Sequence, residues 1–170
     1  MNIQIYPLQP DDEEAAKTIM EWRNDPHTLS MFYNHVPKKW PSFFSEYQNE
    51  YFNDQKMKPC FAKNGEGIVA FLRSSEYKNS PFPGLTYDID INIDPKQRGK
   101  GFASNILRTF SEYIFNSGID QIIAEVKKIN VVSIKSFQSA GFSIFDEQIK
   151  NAYGRLHEIQ RLVKRKNEKK

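Results

Sequence analysis

Apolar and polar positions along the chain switch between two spacings, and the switches outline the elements. Ile3 and Ile5, followed by Pro7, predict a short first strand. Ala15, Ala16, Ile19, Met20 and Trp22 recur at helical spacing behind the acidic run Asp11-Asp12-Glu13-Glu14, which suits a helix N-terminus. Asn24-Asp25-Pro26 ends that helix. The segment from Leu29 to Val36, rich in Met, Phe, Tyr and His, keeps neither period. Phe43, Phe44, Tyr47 and Tyr51 then predict a second helix over residues 42–53.

From Pro59 the spacing becomes that of strands. Cys60-Phe61-Ala62 and the run Ile68 to Arg73 flank a hairpin-type turn, Asn64-Gly65-Glu66-Gly67. The stretch Tyr77 to Leu85, with its prolines and glycine, reads as a loop, and Thr86 to Ile93 alternates as a strand. Ala103, Ile106, Leu107, Phe110, Tyr113 and Ile114 mark a helix over 102–116, closed by Asn116-Ser117-Gly118. A strand over 121–126 follows, then a helix over 130–140 with Ile134 and Phe137 inward. Two last strands, 142–148 and 155–163, join across Asn151-Ala152-Tyr153-Gly154. This order describes one mixed α/β domain over residues 1–163 and a basic tail over 164–170.

Composition narrows the function classes. A chain of 170 residues holds one compact domain with a real core. The net charge of +3 is mild, and much of it sits in Lys164-Arg165-Lys166 and Lys169-Lys170. Nucleic-acid binding would want that charge spread over a folded face, so no nucleic-acid partner is expected. No apolar run is long enough to span a bilayer, and the start of the chain lacks the pattern of a signal peptide. The single cysteine, Cys60, reads as a core residue, and a reducing, cytoplasmic setting is expected. His27, His35 and His157 are scattered, without metal-ligand spacing, so no metal is expected.

The chemistry concentrates in Ile89-Asp-Ile-Asn-Ile-Asp-Pro-Lys-Gln-Arg-Gly-Lys-Gly-Phe-Ala103. A strand runs into a basic loop with Gly99 and Gly101, and a helix begins at once. Backbone N–H groups and a helix N-terminus then face one point, which builds an anion site. No Ser or Thr follows Lys100, which excludes a Walker loop, and a third glycine is missing for a dinucleotide fingerprint. Asp88, Asp90 and Asn92 lie on one face of the strand and the isoleucines on the other. Carboxylates on a central strand are costly unless paired or functional. A neighbouring Arg23 or His35 would pair them; a role as general base is the other reading.

Gln97-Arg98-Gly99-Lys100-Gly101-Phe102-Ala103 resembles the pyrophosphate loop of the GNAT N-acetyltransferase superfamily. The later run from Asn130 through Ser133 and Phe137 to Gly141-Phe142 is similar to that family's second cofactor motif. As bare sequence Gly99 and Gly101 fit an ordinary turn and Asn130 a plain helix cap; in this order and spacing they match the family. Trp22-Arg23-Asn24-Asp25-Pro26 and Met31-Phe32-Tyr33-Asn34-His35 resemble the branch of ribosomal-protein and nucleotide-linked amino-sugar N-acetyltransferases.

The resemblance implies a mostly antiparallel twisted sheet of about seven strands flanked by about four helices, splayed at the cofactor site. It implies acetyl-CoA as co-substrate, held by Ile91, Asn92 and Ile93, by Gln97 through Ala103, and by Asn130, Ser133 and Phe137. The Ile93 N–H would face the thioester carbonyl, Asp88 or Asp90 would act as base, and Trp22, Arg23, Met31, Phe32, Tyr33 and His35 would bound the acceptor. Phe137 stands where many members carry a tyrosine as acid, so Tyr153 is the candidate acid, with His35 or solvent as substitutes. The activity implied is acetylation of a small-molecule primary amine, such as a nucleotide-linked amino sugar, by a monomer or homodimer. The alternatives are a protein N-terminal acetyltransferase and a non-catalytic acyl-CoA-binding regulatory module.

Overall fold

The computed structural model describes residues 1–167. Its elements are β1 (Gln4–Pro7), α1 (Glu13–Arg23), α2 (Pro26–Met31), α3 (Ser42–Glu50), β2 (Cys60–Asn64) and β3 (Gly67–Glu76). There follow β4 (Thr86–Ile93), a 3-10 turn (Pro95–Gln97), α4 (Phe102–Asn116), β5 (Gln121–Lys127), α5 (Val131–Ser139), β6 (Ser143–Ala152) and β7 (Arg155–Arg165). The strands form one sheet in the order β1-β2-β3-β4-β5-β7-β6, antiparallel at every step except β4 to β5.

Each face of the sheet carries its own core. On one face α4 buries Ile106, Leu107, Phe110 and Ile114 against Tyr87, Ile89, Ile122 and Ala124, and α5 adds Ile134 and Phe137. Burying each of the isoleucine, leucine and phenylalanine side chains contributes about 1.5–3 kcal/mol. On the other face α1 and α3 pack Ile19, Trp22, Phe43 and Tyr47 onto Phe61 of β2 and Phe71 of β3. Alternation along β4 therefore sends the isoleucines to the α4 face and Asp88, Asp90 and Asn92 to the α1 face.

Several boundaries differ from the sequence expectation. The unexpected α2 begins at Pro26, where the first helix was expected to end, and overlaps the stretch that kept neither period at Leu29–Met31, giving five α-helices among the described residues. Six residues are too few to establish a period, yet its start signals are present. The Asp25 carboxylate accepts from the Thr28 N–H, and Pro26 sits in the first turn. The helix expected to reach residue 53 stops at Glu50. The β6–β7 turn places Tyr153 at φ 51° and Gly154 at φ 72°, the left-handed pair that lets a two-residue turn match strand twist.

The last strand also outruns its expected end. Lys164 and Arg165, assigned to the tail, pair with Ile122 and Gln121 as part of the sheet. Lys164 extends its ammonium over the Phe142 ring, 5.8 Å from the centroid. Lys169 and Lys170 lie outside the described residues.

Candidate active site

The sheet opens where its one parallel pairing ends. β4 and β5 are in register only over Thr86–Asp88 and Gln121–Ile123. Beyond Asp88, β4 continues beside β3 to Ile93 without β5 on its other edge. The Asp94 N–H donates to the Val69 carbonyl at 2.9 Å, which makes Ile93 and Ala70 a non-hydrogen-bonded pair. Alternation then turns the N–H and C=O groups of Ile91 and the N–H of Ile93 away from β3 and into the opening. These are unpaired strand-edge groups, suited to a ligand with a peptide-like arm.

The glycine loop closes one end of the opening. Asp94 caps the 3-10 turn by accepting from the Lys96 N–H at 3.0 Å. Gly99 and Gly101 have φ near +75° (75° and 76°), so both use the left-handed region. Gly101 is the N-cap of α4 and brings no capping side chain, leaving the first-turn N–H groups free. Among the described residues, no backbone carbonyl accepts from the N–H groups of Arg98 through Gly101. Free amides and the positive end of a 15-residue helix converge here, and a pyrophosphate fits that donor set.

The loop side chains are less free than the amides. Lys100 Nζ donates to Gln97 Oε1 at 2.9 Å within the loop. Arg98 links the loop to α2, with NH1 2.8 Å from Asp25 Oδ2 and NH2 donating to Thr28 Oγ1. Burial pushes the Asp25 carboxyl up, but the Thr28 N–H and Arg98 outweigh it and hold the group below its ordinary value.

On the α1 face the opening meets acids and bases in pairs. Asp88 accepts from Ser75 Oγ at 2.8 Å, and burial raises its pKa above the ordinary carboxylate value. It lines a 220 Å³ cavity with Arg73, Ser75 and Asp90. Asp90, its side chain half-exposed at 50%, stands 3.9 Å from Arg23 NH1. The Asn92 side chain is buried, and its Nδ2 has no partner among the described residues. A larger cavity of 270 Å³ lies beside these groups, lined by Arg23, Leu29, Phe32, Tyr33, Asn34, Val36, Lys38, Glu46 and Tyr153.

The expected acceptor residues separate into two groups. Arg23, Phe32 and Tyr33 line the larger cavity, with the Arg23 guanidinium 4.3 Å from the Phe32 ring centre. Trp22 does not; it is buried against Phe61. Met31 ends α2, and His35 Nδ1 sits 3.3 Å from Arg155. Tyr153 is 71% exposed at the hairpin tip, on the rim of that cavity.

In the second motif, Asn130 caps α5 by accepting from the Ser133 N–H at 3.3 Å. Phe137 is a core residue, edge-on to Phe142, and not an open wall of the cleft. Cys60 is buried too, which pushes its thiol up to about 12 and leaves it an inert core residue.

Other residues emerge only from the structure. Glu125 of β5 accepts from Tyr33 OH at 2.6 Å and from Lys150 Nζ at 3.1 Å. Lys127 Nζ donates to the carbonyls of Ser30 and Phe32 at 3.3 and 2.9 Å. The period-2 pattern of β5 could have flagged Glu125 and Lys127 as facing away from the α4 core, but not what they meet. Among the described residues, no helix is long and apolar enough to cross a membrane. Nor, among them, does any group of His, Cys, Asp or Glu form a metal site.

A strand edge left open by a splay, capped by a glycine loop and a helix N-terminus, suits an acyl-CoA-type ligand on an α/β sheet. The family model described as the acetyltransferase (GNAT) family matches residues 16–142. The chain belongs to that family, whose members transfer acetyl from acetyl-CoA to an amine. Among curated proteins no sequence matches significantly.

Solved structures share the fold at low identity. One is the aminoglycoside acetyltransferase AAC(6')-Ib in complex with paromomycin and acetyl-CoA, at 15% identity, TM-score 0.80, covering 97% of this chain and 94% of that one. Another is a spermidine N-acetyltransferase from Vibrio cholerae in complex with CoA and spermine, at 16%, TM-score 0.79, covering 96% and 95%. A third is described as a phosphinothricin N-acetyltransferase, at 18%, TM-score 0.76, covering 98% and 100%.

Proposed function

We propose that the protein transfers the acetyl group of acetyl-CoA to a primary amine of a small molecule held in the 270 Å³ cavity. The observation that carries this reading is the unpaired edge of β4 at Ile91 and Ile93, ending in the free amides of the glycine loop. Acetyl-CoA supplies an activated thioester there. Residues Arg98 through Ala103 bind its pyrophosphate, Ile91 orients the pantetheine arm, and the Ile93 N–H polarises the carbonyl.

The amine must lose a proton, and distance discriminates between the two aspartates. At about 3.3 Å per residue, Asp88 lies roughly 16 Å along the strand from Ile93, and Asp90 roughly 10 Å. We therefore assign proton removal to Asp90 acting through water, with Arg23 NH1 3.9 Å from its carboxylate. Asp88 stays outside the chemistry. Coenzyme A is a good leaving group, so the exposed Tyr153 is dispensable as an acid.

An acetyl-CoA assay against nucleotide-linked amino sugars, aminoglycosides, polyamines and peptide N-termini tests the reading. Turnover of one small amine is expected. Turnover of peptides alone would favour a protein acetyltransferase, and coenzyme A binding without any turnover a regulatory module. Phe32, Tyr33 and Tyr153 around the cavity favour an acceptor with a flat or sugar-like part, such as a nucleotide-linked amino sugar.

A further inference from the structure

Arg98 lies in the glycine loop, yet its guanidinium is committed to α2. NH1 is 2.8 Å from Asp25 Oδ2, and NH2 donates to Thr28 Oγ1. Asp25 in turn accepts from the Thr28 N–H at 3.0 Å and from its hydroxyl at 3.1 Å. From there the chain runs through Leu29 to Phe32, Tyr33 and Asn34, which wall the larger cavity. The far end is fastened to β5 by Lys127 on the Phe32 carbonyl and by Tyr33 on Glu125. The α2 segment thus joins the cofactor loop to the acceptor cavity.

The join is weak on its own. α2 has six residues and no buried side chain, so it gains little from packing and is short for a helix. The Arg98–Asp25 pair is partly solvated, with side chains 31% and 22% exposed, and such pairs contribute little. A segment held this way opens locally at small cost. Arginine carries five N–H donors in a rigid fork; Asp25 and Thr28 take two, and the rest remain for a phosphate oxygen.

We propose that Asp25 and Thr28 are positioning residues that couple the two halves of the site. A phosphate on the loop amides and on Arg98 fixes the guanidinium, the guanidinium fixes α2, and α2 sets Phe32 through Asn34 for the acceptor. The coupling rests on the reading that the loop takes the pyrophosphate of coenzyme A. Linkage makes it reciprocal, so acceptor and acetyl-CoA strengthen each other's binding.

Hydrogen–deuterium exchange on the full chain, with and without saturating coenzyme A, tests the coupling before any acceptor is known. Peptides spanning residues 26–36 should exchange more slowly with coenzyme A, on the order of 5-fold or more. Asp25→Ser keeps a capping oxygen but removes the charge. Thr28→Val removes only the hydroxyl contact and serves if the first variant melts early. Each should still bind coenzyme A by calorimetry while losing the slowing at 26–36. Coenzyme A bound to the unaltered protein with unchanged exchange there overturns the coupling alone, as does full slowing in both variants. Failure of the unaltered protein to bind coenzyme A overturns the acetyltransferase reading and the coupling together.

Discussion

The two sides of the β4–β5 opening are built by different means. The side proposed for the cofactor is backbone: the free edge at Ile91 and Ile93, the amides of a loop with two left-handed glycines, and the start of α4. The side proposed for the acceptor is side chain against distant side chain or carbonyl. Tyr33 to Glu125 spans 92 residues of sequence, Lys127 to Phe32 spans 95, and Arg155 to His35 spans 120. A backbone site needs few residue types beyond glycine. A side-chain site depends on every partner, so the acceptor can change while the cofactor does not.

The sharpest break of that contrast comes at Asp90. With the proposed base removed, Asp90→Asn should lower kcat by about 100-fold or more, with coenzyme A affinity by calorimetry unchanged. The residual rate should climb as pH rises, because more of the amine is then already deprotonated. A rate within a few-fold of the unaltered protein at neutral pH would remove Asp90 from the mechanism.

Next in size is a blow to the cofactor side alone. Gly101→Val puts a β-branched residue at φ 76°, which costs about 1–3 kcal/mol. A Cβ there meets no protein atom within 4 Å, so the effect is backbone strain and not a clash. Urea denaturation should register the loss of stability, and calorimetry a fall in coenzyme A affinity. Unchanged affinity would mean that the loop conformation is not what holds the pyrophosphate.

The same contrast decides what was legible in the sequence. The strand into Ile93, the glycines at 99 and 101 and the Asn130 cap were all readable, because each is a local backbone requirement written as a residue type. The alternation of β4 gave the shared face of Asp88, Asp90 and Asn92. Strand alternation could not say that Asp88 is held by Ser75, since that partner comes from the neighbouring strand. Trp22 was ambiguous for a related reason. An aromatic beside Arg23 reads equally as a stacking platform or as core, and only the position of Phe61 on β2 makes it core. Glu125 and Lys127 went unread because their meaning lies in the segment docked over them, close to a hundred residues away.

Tyr33→Phe probes the acceptor side with a smaller change. It removes one hydrogen bond to a carboxylate that keeps Lys150 as a second partner, so stability should fall by only about 1 kcal/mol. The KM for the acceptor should rise while the KM for acetyl-CoA holds. Equal changes in both would show that the Tyr33–Glu125 contact serves the whole fold and not one side of the opening.

The smallest effect belongs to Asp88, and its sign is the informative part. Burial raises its folded-state pKa above the unfolded value, so the folded protein favours the protonated carboxyl. Stability from that group is fully present below the unfolded pKa, near 3.9, and is lost as pH rises through the folded value. Asp88→Asn cannot ionise and can still accept from Ser75. The variant should therefore gain on the unaltered protein as pH climbs above about 4, read from urea midpoints at a series of pH values. Its turnover should also survive, because the residue sits roughly 16 Å from Ile93 along the strand. A gap that stays flat with pH would mean the carboxylate ionises as easily folded as unfolded. Lost turnover in a stable variant would instead move Asp88 into the chemistry and weaken the distance argument that favours Asp90.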